Sequence, residues 1–288
     1  MTRAVSDYWA LTKPEVNFLI VVTTAAGFWM GTTAGLADFP WMALLHTLAG
    51  TALVGSGAAV LNQLIERPYD ARMRRTAQRP IASGRITPSH ALWFGVALSV
   101  TGAAYLAVSA NLLASVLAAL TLIGYVFVYT PLKRITPLCM WVGAVPGAAP
   151  PLIGWAAASG QLDPGAWELF AIVFLWQFPH FTPIAWMYRE DYARAGYAML
   201  PSGGARNQFV IWSTLAASAG LLVAAMLPTV SGLSGFAYFG GALAFGAVLW
   251  HYSVMFALRR TNVAARQLLV ASIAYLPATF ALLVLDKR

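Results

Sequence analysis

Nine stretches of about twenty apolar residues limit what this chain can fold into. They cover residues 16–34, 41–64, 91–108, 112–130, 138–158, 166–186, 208–228, 235–257 and 267–285, each near the ~20 residues that carry an α-helix across a bilayer. Only 10% of the residues are charged, against about 25% in soluble domains. The expectation is an all-α, polytopic membrane protein with nine spans. The first run begins too far in, and lacks the small-residue cleavage site, to be a removable signal peptide. No linker, low-complexity segment or shift in composition divides the chain, so residues 1–288 read as one transmembrane domain.

The loops alternate in charge. Residues 35–40, 109–111, 159–165 and 229–234 carry no Lys or Arg, and every basic residue except Lys287 and Arg288 falls on the other side. The positive-inside bias places the N-terminus and the basic loops in the cytoplasm, or its organellar equivalent, and the C-terminus outside. This distribution accounts for the net charge of +8 without nucleic acid. The single cysteine, Cys139, excludes an internal disulfide and a cysteine-based metal site and reads as a small core residue.

Polar chemistry concentrates in one block, Asn62 to Arg85, which holds six arginines and two carboxylates between apolar runs. Asn62, Glu66 and Asp70 are four apart, and on a helix each such step turns the side chain by only ~40°, so the three line one face. Three oxygen donors on one face suit Mg²⁺, which is usually held by one or two carboxylates plus substrate phosphate oxygens. The neighbouring guanidiniums, Arg75 and Arg79 among them, fit phosphate bidentately; as arginines beside membrane spans they also fit a topology signal. Pro68 is expected to bend the face between Glu66 and Asp70.

A second block, Trp176 to Gly196, lies on the same side four spans later and suggests a parallel duplication with two acidic loops facing one cavity. Inverted repeats, as in many transporters, would put matching segments on opposite sides. Glu190 and Asp191 are adjacent and diverge by ~100° on a helix, so one of them at most serves a given ion. Asp191 is a candidate to hold a second Mg²⁺ or to pair with a nearby arginine. His180 follows Pro179 inside a span, where an ionisable side chain is costly and by default functional. It is a candidate to ligate a haem iron, orient a substrate or take a proton, with a satisfied core histidine as the plain alternative. His46 and His251 read as structural, and His90 as a helix-start residue. Lys133 and Arg134 end a span on the basic side and are candidates to complete a phosphate grip. Gly143 and Gly147, with prolines 146, 150 and 151, suggest either a broken helix lining a pocket or tight helix packing.

The segments LTKPEV, NQLIERPYDARMRRTAQRPIASG, YTPLKRITP with VPGAAPPLIGW, and WQFPHFTPIAW followed by DYARAG and MLP together resemble the protohaem IX farnesyltransferase (haem O synthase) branch of the UbiA-type intramembrane prenyltransferases. The resemblance is strongest from Leu11 to Pro201. It implies nine transmembrane helices around a central cavity, Mg²⁺ dependence, and conversion of haem B to haem O by transfer of farnesyl from farnesyl diphosphate to a haem vinyl group. By the same resemblance Asn62, Glu66 and Asp70 bind Mg²⁺ and diphosphate, and Arg75, Arg79 and Lys133 fit the diphosphate-neutralising positions. The superfamily's second pair of aspartates is replaced by Tyr188, Arg189, Glu190, Asp191 and Tyr192, leaving Asp191 as its candidate metal ligand; Tyr197 and Ala198 also depart from the branch's usual sequence. The resemblance further implies a bacterial inner membrane and hand-over of product to a haem A synthase or terminal oxidase assembly. A quinone-type prenyltransferase acting on an aromatic acceptor, and a transporter or haem-handling scaffold, are the competing readings.

Overall fold

The computed structural model describes residues 3–198 and 205–288; the Met199–Pro201 segment quoted above falls outside them. The elements in order are α1 (Arg3–Leu11), α2 (Pro14–Gly31), α3 (Trp41–Asp70), α4 (Pro88–Ser109), α5 (Leu112–Ile123), a π-helical turn (Gly124–Tyr129) continuing into α6 (Thr130–Leu132), α7 (Cys139–Ser159), α8 (Pro164–Met187), α9 (Arg189–Arg194), α10 (Ala205–Ala224), α11 (Leu227–Val230), α12 (Phe236–Arg259) and α13 (Asn262–Leu285). Each predicted apolar run meets one long helix or, at 112–130 and 208–228, consecutive helical segments. Among the described residues seven are long and apolar enough to cross a membrane by length and composition. The two that fall short are α2, with Glu15, Asn17 and paired threonines, and α7, with three prolines. These two pack along each other, so much of their surface meets protein instead of lipid.

Local chemistry sets the helix starts. Thr87, Asn111 and Thr261 accept hydrogen bonds from the backbone N–H groups of His90 (3.4 Å), Ala114 (2.9 Å) and Ala264 (3.2 Å), as N-caps do. Around the molecule α2, α3, α4, α5, α7, α8, α10, α12 and α13 are successive neighbours, and α13 returns to α2. The main core lies between α7, α8, α10, α12 and α13, where Leu169, Ile172, Leu249, Phe256 and Leu276 are buried. On the face without basic loops, Asp286 Oδ2 accepts from the Tyr238 N–H (2.7 Å) and the Lys287 amine donates to the carbonyls of Trp29 and Thr32. The last residues of the chain thereby fasten to the end of α2.

Two proline expectations are corrected. α3 continues through Pro68 to Asp70 as one helix, so the polar face holds. α7 likewise runs unbroken through Pro146, Pro150 and Pro151. Pro146 and Pro150 line the central cavity, where carbonyls freed of their helical donors need not face hydrocarbon. The tight-packing reading of α7 holds together with the pocket-lining one. At Gly27 an added Cβ would sit 2.1 Å from the Pro151 carbonyl oxygen, and at Gly154 it would sit 2.0 Å from that of Thr24. Both clashes are with backbone, so Gly27→Ala is expected to cost about 1–3 kcal/mol, read as a lower unfolding midpoint in detergent. An unchanged midpoint would mean that α2 and α7 separate freely.

Candidate active site

A cavity of about 430 Å³ opens at the basic end of the helices, lined by α2, α3, α5, α7, α8 and α13 and by the segments after α3 and α8. Its walls are apolar, with Val16, Leu19, Ile20, Val54, Leu122, Ile153, Phe181 and Leu276, and one end is densely polar. The last turns of α3 bring Asn62, Glu66 and Asp70 into that end with 0%, 6% and 1% of their surface exposed. An unpaired buried carboxylate would be severely destabilising, and here each polar group has a basic partner. Lys13 Nζ donates to Asn62 Oδ1 (2.9 Å) and Lys133 Nζ to Glu66 Oε1 (2.8 Å), while Arg79 Nη1 donates to both oxygens of Asp70 (2.9 and 2.8 Å). Asn62 Nδ2 also donates to Thr130 Oγ1 (3.0 Å), and Thr76 Oγ1 to the Asp70 carbonyl (2.9 Å), which fixes the loop carrying Arg79.

The π-helical turn aims the next elements. Pro131 offers no N–H, and the Thr130 N–H reaches back five residues to the Tyr125 carbonyl, where the Thr130 hydroxyl also donates (2.8 Å). π-turns are frequent at functional sites because the extra residue rotates the face beyond them. Here Tyr125, Tyr129 and Lys133 all line the cavity, and the Lys133 ammonium lies 4.4 Å from the centre of the Tyr129 ring. Burial works against the charge of Lys133, but the Glu66 carboxylate holds its amine well above the ordinary lysine value. Lys13 differs: burial, with Arg79 nearby, pushes its amine down to about 7. Arg75 lines the cavity, donates to the Tyr192 hydroxyl, and lies over the rings of Tyr188 and Tyr192 (4.7 and 4.8 Å).

Three candidates lie elsewhere. Arg134 is exposed and stacks over Tyr69 (4.4 Å). Asp191 pairs with Arg194 (3.0 Å) and is not among the cavity-lining residues, so it would have to leave that arginine to reach an ion beside α3. The end of the second block and the residue after it therefore give the cavity Tyr192 and Tyr197 instead of a facing carboxylate. His180 points to α13: its Nδ1 lies 3.0 Å from Ser272 Oγ and its ring stacks on Trp176 at 4.5 Å. Ser272 Oγ also lies within donating distance of the Leu269 carbonyl (2.7 Å); when that bond is made, His180 Nδ1–H donates to Ser272 and Nε2 keeps its lone pair. His180 does not itself line the cavity, but Trp176, Gln177, Phe178 and Phe181 around it do.

Residues 20–280 match the sequence model of the UbiA prenyltransferase family. The chain belongs to that family. Among its relatives, a protohaem IX farnesyltransferase of Solibacter usitatus is 46% identical, with 98% of both chains aligned. In fold, the UbiA chain is similar to a digeranylgeranylglyceryl phosphate synthase (TM-score 0.81, 13% identity, 98% of both chains). It is also similar to a UbiA homologue from Archaeoglobus fulgidus bound to DMAPP and Mg²⁺ (TM-score 0.68, 16% identity, 96% of this chain and 99% of that one).

The donor set of this UbiA chain suits a hard divalent cation. Two carboxylates and an amide oxygen, buried on one helix face at a cavity wall, are the oxygen-only ligands Mg²⁺ takes when a substrate completes its shell. Among the described residues no three His, Cys, Asp or Glu side chains come together, so a bound Mg²⁺ would take its remaining ligands from water or substrate oxygens. Lys13 is the principal residue the sequence reading missed, having been counted only as a topology charge. It caps α2 with a left-handed backbone (φ 48) and no side-chain cap bond. A cation at a helix N-terminus opposes the helix dipole, and that mismatch in LTKPEV was the available signal.

Proposed function

We propose that the protein converts haem B (protohaem IX) to haem O, transferring the farnesyl group of farnesyl diphosphate to a haem vinyl group with addition of water and release of diphosphate. The observation that carries this reading is the paired acid–base cluster on α3, set at the polar end of an apolar-walled cavity in a chain so similar to a protohaem IX farnesyltransferase.

Asn62, Glu66 and Asp70 would hold Mg²⁺, which when bound supplies Lewis-acid neutralisation of the diphosphate. Arg79, Lys133 and Lys13 are within reach of the same oxygens and stabilise the charge growing on the departing group. The C1–O bond of the farnesyl chain breaks with its electron pair going to the diphosphate. The rings of Tyr125, Tyr129 and Phe181 shield the resulting allylic cation, and the apolar wall excludes bulk water from it. The vinyl π-electrons form the new C–C bond, and water closes the second cation to the hydroxyl, losing a proton. His180, held to Ser272 behind the cavity wall, orients haem by fixing Trp176, on which its ring stacks and which does line the cavity. Arg75 and Arg134 hold the tyrosines at the mouth, and Asp191 braces α9 through Arg194.

The basic loops and N-terminus face the cytoplasm of a bacterial inner membrane, the C-terminus lies outside, and the product passes to a haem A synthase or an oxidase assembly. The deciding experiment incubates purified protein in lipid with haem B, farnesyl diphosphate and Mg²⁺ and reads pigment mass by chromatography. A pigment heavier by farnesyl plus water, lost with chelator, is expected. Unchanged haem with prenylation of an aromatic acceptor would overturn the acceptor, and no turnover in folded protein would favour a transporter or scaffold.

A further inference from the structure

Tyr197 occupies a position that the mechanism above leaves without a role. Gly196, at φ +77, turns the chain out of α9. The Tyr197 N–H then donates to the Tyr192 carbonyl (2.9 Å), and the Ala198 N–H donates to the carbonyl of Lys133 (2.8 Å). The segment is thereby fastened to the same lysine that pairs with Glu66. The Tyr197 ring meets Tyr69 and Tyr192 edge-on, with centroids 5.9 and 5.7 Å away. The side chain is 6% exposed and lines the polar end of the cavity. Among the described residues its hydroxyl has no partner within hydrogen-bond distance.

A buried donor with no partner is destabilising, and native structures retain few of them. Packing does not explain this one, because the ring alone makes both edge contacts. A partner present only during binding or turnover does explain it. Glu66, Lys133 and the Arg75–Tyr192 pair line the cavity with Tyr197, at the charged end suited to anionic oxygen and away from the apolar walls.

We propose that Tyr197 is a catalytic residue whose hydroxyl donates a hydrogen bond to a non-bridging oxygen of the substrate diphosphate. The bond strengthens as the prenyl C1–O bond breaks and the electron pair moves onto the diphosphate, and the proton stays on Tyr197 throughout. The proposal rests on the diphosphate reading of this site and is independent of which acceptor receives the prenyl group.

The test compares Tyr197→Phe, which keeps the ring, with the parent protein, using inorganic diphosphate plus Mg²⁺ in calorimetry and thermal unfolding. The variant without ligand is expected to unfold at the parent's midpoint or above it. Its affinity for diphosphate falls about tenfold, and the upward shift of the midpoint on adding diphosphate shrinks accordingly, the effect of losing one hydrogen bond to a charged acceptor. In turnover, kcat falls more than the KM for prenyl diphosphate changes. Unchanged affinity with unchanged kcat overturns the proposal, as does a lowered midpoint with unchanged affinity, which would make the hydroxyl structural. A parent protein that binds no diphosphate overturns the underlying site reading instead, and with it the proposal.

Discussion

Asp70→Asn is expected to lower kcat by about 10²–10³-fold while leaving the protein folded. Asparagine keeps one oxygen to accept from Arg79 Nη1 in place of two, and the Thr76 hydroxyl still donates to the backbone carbonyl of residue 70, so α3 and the loop after it stay docked. What goes is one of the two negative charges on the α3 face, and with it the hold on a divalent cation. The Mg²⁺ concentration giving half-maximal activity should therefore rise together with the fall in kcat. Titrating activity against Mg²⁺ in parent and variant measures both, and a variant with the parent's kcat and Mg²⁺ dependence would remove Asp70 from the metal site.

Lys133→Met is expected to be the most destabilising single change at the site, at about 3–5 kcal/mol, because it leaves Glu66 buried without its charge partner. Activity falls with it, since the same ammonium neutralises diphosphate. The two effects separate in the double variant Lys133→Met with Glu66→Gln. Removing both charges together should bring the unfolding midpoint back near the parent's while activity stays lost, a coupling that a double-mutant cycle reads directly. A double variant as unstable as the single one would show that Lys133 acts on stability through something other than Glu66.

Much of this arrangement is legible in the sequence because it is local. Apolar run length marks the helices, and a spacing of four puts Asn62, Glu66 and Asp70 on one face even through Pro68, since a helix end packed on its neighbours can carry a proline without breaking. Pairings between distant segments are not written in local spacing. Nothing around Lys13 says that its amine will meet Asn62, 49 residues away, and nothing around Tyr197 says that its ring will stand beside Tyr69. Side-chain type is also a poor guide to direction. Arg134 and Lys133 are adjacent and both basic, yet the lysine turns in to Glu66 and the arginine turns out over a tyrosine. Asp191 and Asp70 share a chemistry, but Arg194 three residues on satisfies the first locally, while only the folded loop brings Arg79 to the second.

The fastening of Lys287 to the end of α2 bears on how the protein is made. Of the long helices described above, α2 leaves the ribosome before the others and α13 after them, and the cavity takes Leu276 from α13 as part of its wall. A nascent chain thus carries its acidic face and its lysines into the membrane well before the compartment that isolates them from lipid exists. Translation must pass Lys287 before the seam between α2 and α13 can close. Until then the charge pairs on α3, and not the enclosing wall, are what make those buried groups tolerable in the membrane.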